Sequence, residues 1–108
     1  MASMAMEVFR QLIPRRNRRV SVSLRANLIC GGQTIPVHLL DLSKEGALAH
    51  AHLPPNSNAI VWLRSNGLET PARIVWTRGD RFGLSFSRVL SDAQFEGLVR
   101  PSLTVVPA

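Results

Sequence analysis

A chain of 108 residues and 11.9 kDa has room for one domain, and a 45% share of hydrophobic residues gives it a self-sufficient core. Its formal charge of +6 points to an anionic partner, and its single cysteine, Cys30, excludes an internal disulfide or a multi-cysteine zinc site. No apolar run reaches the ~20 residues of a membrane span, and the N-terminus has neither the basic nor the apolar region of a signal peptide, so the expectation is a soluble, cytoplasmic protein.

Residues 1–13 carry a possible helical stripe in Met6, Phe9, Leu12 and Ile13 that Pro14 ends, and they read as a helix or a flexible tail. From Val20 the chain alternates: Val20, Val22, Leu24, Ala26, Leu28 and Cys30 fall on one face of a half-buried strand, where Cys30 is expected as a buried structural thiol. Gly31-Gly32 suits a hairpin turn into a second strand, QTIPVHLLDL, which Pro36 marks as an edge strand or a late starter. After DLSKEG, the segment ALAHAHL alternates again, and a loop at Pro54-Pro55-Asn56-Ser57 precedes the strand NAIVWLR. Asn66-Gly67 is the strongest hairpin signal; it leads to ETPARIVWTR, and Gly79-Asp80 turns that strand into RFGLSFSRV, with Phe82, Leu84 and Phe86 on one face. Ser91-Asp92 can cap a helix over DAQFEGLV, which Pro101 should stop, leaving 101–108 as a tail. Six short strands and one terminal helix predict an all-β domain over 14–100, an antiparallel barrel closed so that no hydrophobic edge is exposed.

The chain contains no HExxH, Walker or GxSxG motif, so catalysis is not expected. His50 and His52 lie two apart on one strand face without an acidic cluster nearby, and read as surface histidines rather than metal ligands. Two other clusters are more informative. Arg15, Arg16, Arg18 and Arg19 crowd the entrance to the first strand, and in extended chain Arg15 and Arg19 project to the same side. Of 13 cationic residues 12 are arginine, whose planar fork suits phosphate or the O6/N7 edge of guanine. In DLSKEG, Asp41, Ser43 and Gly46 can form a plain turn with Gly46 at positive φ; equally, the Asp41 carboxylate can accept from the N–H groups of a guanine edge. The two clusters are complementary halves of a guanine-phosphate site.

Arginine-x-x-x-arginine before the first strand and aspartate-x-serine-x-x-glycine after the second resemble the PilZ domain family, small β-barrels that bind the bacterial second messenger cyclic di-GMP. Here the motifs read Arg15-Arg16-Asn17-Arg18-Arg19 and Asp41-Leu42-Ser43-Lys44-Glu45-Gly46, and ARIVWTRGDRFGLSFSRV is similar to the family's last barrel hairpin; the resemblance covers roughly residues 15 to 99. It implies that Arg15 and Arg19, assisted by Arg16, engage phosphates and guanine faces. Asp41 and Ser43 would then bond a guanine edge, and Gly46 would let the base approach the backbone. Trp76 and Arg78 would border the site, where either can stack on a base, although a core position suits Trp76 better and Trp62 is assigned to the core. The implied protein is a receptor, not an enzyme: the ligand draws a mobile arginine arm onto the barrel, and the altered surface acts on a protein partner in motility, biofilm or polysaccharide control. The rival reading is a basic barrel for RNA or single-stranded DNA, which the scarcity of exposed aromatics disfavours.

Overall fold

The computed structural model describes residues 19–103, with side chains described for 19–100. Residues 1–18, including the stripe at Met6–Ile13, Arg15, Arg16 and Arg18, lie outside the described residues. Among the described residues six strands, β1 (Val20–Cys30), β2 (Gln33–Leu42), β3 (Gly46–His50), β4 (Ile60–Ser65), β5 (Leu68–Arg78) and β6 (Arg81–Phe86), precede one helix, α1 (Asp92–Leu103). All neighbouring strands pair antiparallel in a closed barrel of order β1-β2-β3-β6-β5-β4, as the alternation and turn signals predict.

The tight turns take the backbone their residues favour. Gly31 and Gly32 have φ of 57° and 82°, and Asn66 and Gly67 have φ of 51° and 87°. Positive φ at both central positions is the twist that suits a two-residue hairpin, and Gly and Asn adopt it at least cost. Inward-facing Leu24, Leu28, Leu39, Leu63, Ile74, Phe82 and Leu84 fill the barrel, and Leu42, Leu90, Leu98 and Val99 extend the core towards the helix.

Several expectations need correction. β3 stops at His50 rather than running to Leu53: its partner β6 begins at Arg81, which faces His50, so the ladder is exhausted there. β4 starts at Ile60 because Asn58 takes a φ of 70° and donates its N–H to the Ile74 carbonyl in a turn. Pro36 lies in a barrel strand, but on a stretch of β2 that is locally an edge, as expected. It is tolerated because β2 pairs with β3 only from His38 onward, leaving Pro36 a partner on the β1 side alone. Cys30 is half-buried against the core. Trp62 is 48% exposed on the outer face of β4, not in the core, because the inward positions on either side of it are taken by Val61 and Leu63.

Pro101 does not end the helix. An interior proline withholds the N–H that would bond the carbonyl four residues back, here that of Gly97. That carbonyl instead accepts from Asn66 Nδ2 at 2.8 Å, so the β4–β5 hairpin tip satisfies the group the proline leaves open. At the other end Ser91 forms a reciprocal cap: its Oγ accepts from Gln94 N at 3.0 Å and its N–H donates to Gln94 Oε1 at 2.9 Å.

Candidate functional site

β1 and β2 lie in a register that pairs Ser21 with Asp41 and Val20 with Leu42. Arg19, the residue before β1, therefore stands beside Asp41, and its Nη1 donates to Asp41 Oδ1 at 2.9 Å. Both side chains reach solvent, at 52% and 26% exposure. An exposed pair of this kind is worth about 0–1 kcal/mol, so an incoming ligand can redirect either group cheaply.

The turn after Asp41 is built around Ser43, which is buried at 4% exposure. Its Oγ accepts from the N–H groups of Glu45 and Gly46, both at 3.1 Å, and donates to the Gly46 carbonyl, which also accepts from Ser43 N at 2.9 Å. Outside contacts fix the same turn: Phe86 N donates to the Glu45 carbonyl and Leu90 N to the Lys44 carbonyl, each at 2.8 Å. Lys44 Nζ pairs with the Asp92 carboxylate at the start of α1. Hydrogen bonding by Lys44, then its charge, holds the Asp92 carboxyl below its ordinary pKa. Asp41 thus projects from a rigid base.

Gly46 does not adopt the positive φ expected of it. Glycine is required for a different reason: a Cβ at this position would collide with the Leu84 carbonyl oxygen, so only glycine lets β3 approach β6 this closely.

The register carries the site across the barrel. Asp41 pairs with Leu48, Leu48 with Gly83, and Gly83 with Trp76. Asp41 and Trp76 therefore occupy one cross-strand row of the outer face, three strand spacings or about 14 Å apart. Trp76 is 43% exposed rather than in the core, because the register shift between Ile74 and Trp76 turns it outward. Its indole lies over Gly83, where a Cβ would run into the ring. Leu48 and Gly83 were not among the sequence candidates; only a cross-strand Trp–Gly pairing could have signalled them, and pairing is not visible before the register is known. Arg78 lies one row further from Asp41, paired with Arg81.

Of the remaining candidates, His52 lies beyond the end of β3, so the two histidines do not share a strand face, and His50 Nε2 stands 3.1 Å from Asp80 Oδ2. No group of three or more metal-ligating side chains occurs among the described residues. No helix among them is long and apolar enough to cross a membrane.

The described residues thus form a closed six-stranded barrel that carries an arginine–aspartate pair beside a pinned turn. The family model of the PilZ domain matches residues 14–101, and the chain belongs to that family of cyclic di-GMP receptor domains. Among solved structures the fold is similar to the PilZ domain of CeSA from a cellulose-synthesizing bacterium (TM-score 0.58, 20% identity), an alignment covering 82% of this chain and 98% of that one. No curated protein sequence matches the chain.

Proposed function

We propose that this protein is a cyclic di-GMP receptor whose ligand lies on the outer face of β2, β3, β6 and β5. The observation that carries the reading is the convergence of Arg19 and Asp41, 2.9 Å apart, on a turn held by bonds to two other elements. Asp41 accepts from the N–H groups of one guanine edge, while Arg19 swings from the carboxylate to a phosphate or to the guanine O6/N7 edge. Arg15 and Arg16 bring further guanidinium groups from the segment before β1, which closes over the ligand. Trp76 offers an indole face in the same row as Asp41, and Arg78 a second stacking group. Ser43 and Gly46 act on the ligand through the turn that they shape. The bound form presents a changed surface to a protein partner in motility, biofilm or polysaccharide control, and the protein works in the cytoplasm without catalysing a reaction.

Calorimetric titration with cyclic di-GMP tests this on the wild type and on Arg15→Ala, Arg19→Ala and Asp41→Ala. Saturable binding lost in all three variants, with unchanged melting temperatures, supports the reading. Full-strength binding by Arg19→Ala overturns the residue assignment, and no binding by the wild type overturns the function.

A further inference from the structure

A second row on the outer face, next to the one that holds Asp41 and Trp76, is built almost entirely of nitrogen bases. Arg25 of β1 pairs with His38 of β2, His38 with His50 of β3, His50 with Arg81 of β6, and Arg81 with Arg78 of β5. Sheets ordinarily place opposite charges on such neighbours, since like charges directly across a ladder are destabilising. Here one carboxylate, Asp80, answers the row, at His50. Arg25 is exposed and forms no ion pair among the described residues.

The β1–β2 end of this row opens into a cleft of about 720 Å³. Arg25, His38, His50, His52 and Arg64 line it, and no carboxylate does. The volume falls in the range of small-molecule sites, about 300–1,000 Å³. A metal ion is the wrong occupant: His38 Nε2 is engaged with Ser23 Oγ at 2.9 Å and His50 Nε2 with Asp80, and the flanking guanidinium groups repel cations.

We propose that this cleft is an anion site, separate from the Arg19–Asp41 mouth, that takes a small phosphorylated molecule. Arg25 supplies the planar fork for a phosphate, Arg64 approaches from β4 while keeping its bond to Glu69 at 2.7 Å, and the imidazoles complete the cradle. His38 is faced by Ser23 and Arg25 from β1 and by His50 from β3; His50 is faced by His38, by Arg81 from β6 and by Asp80 from the β5–β6 turn.

The test is a titration of the full chain with inorganic pyrophosphate, followed by NMR of the histidine rings, with sulfate as a second probe. Saturable shifts at His38 and His50 are expected, with affinity at least about ten-fold weaker in Arg25→Gln, a surface change that leaves melting unaltered. Asp41→Ala should bind pyrophosphate normally whatever it does to cyclic di-GMP, which keeps the two sites distinguishable. The absence of saturable shifts overturns the proposal, as do equal affinities in the wild type and Arg25→Gln or responses confined to residues around Arg19 and Asp41.

Discussion

Gly46 shows how one missing side chain sets the geometry of the mouth. A methyl group there meets the backbone oxygen of Leu84, which cannot rotate aside, so Gly46→Ala has to push β3 away from β6. Overpacking of this kind costs about 1–3 kcal/mol, and a melting curve should show the loss as a clear fall in Tm. An unchanged Tm would mean that the strands separate freely. The glycine was legible in the sequence, but its reason was not. DLSKEG suggests a turn glycine at positive φ, whereas the constraint comes from a strand 38 positions later, at the Leu84 carbonyl. Arg19 and Asp41 were legible as candidates because the strands whose ends they mark alternate plainly, whereas their contact appears only with the β1–β2 register. Trp62 and Trp76 were misplaced because large aromatics default to the core, and only the occupants of the inward positions, Leu63 and Ile74, show that those places are taken.

Among the elements, α1 depends on its ends. Ser91 and Gln94 cap the first turn, and Ser91→Ala should cost about 1 kcal/mol by thermal melting. Towards the other end, Asn66 answers the carbonyl that Pro101 leaves open. Asn66→Gly keeps a residue tolerant of the turn's positive φ but removes the amide, so it isolates the tie between hairpin and helix. Hydrogen exchange should accelerate in the last turns of α1 while the β4–β5 hairpin remains protected. The Lys44–Asp92 contact gives this region an acid response. Because the folded state holds the Asp92 carboxyl below its ordinary value near 3.9, ionised Asp92 contributes stability above that pH and loses it as pH falls through the lowered value. The melting difference between the wild type and Lys44→Met should therefore be present at pH 6 and vanish in strong acid. A difference that persists at low pH would assign it to the lysine's alkyl chain. Helix propensity and the Ser-x-x-Gln cap were readable in advance. The helix's passage through Pro101 was not, because its compensation arrives from a distant hairpin.

For the whole molecule, the hairpins were readable because each rests on two adjacent residues, whereas closure rests on β1 meeting β4 across only three register pairs, Asn27–Ile29 with Arg64–Trp62. No local signal announces that seam. The N-terminal half of β1 lies beyond the β1–β4 pairs, and there Ser65 Oγ donates to the Arg25 carbonyl at 3.0 Å while α1 packs against β1. The helix thus completes a core that the strands alone leave open, burying Leu98 and Val99 in it.

A ring of strands has a mechanical consequence. In an open sheet an outer strand can slip or peel to report an event at a distance, but in a closed hoop each strand is gripped from both sides and register is topologically locked. Information that reaches this barrel has to leave by a route other than a sliding strand, and among the described residues α1, the helix after β6, is the piece hung on the hoop rather than woven into it.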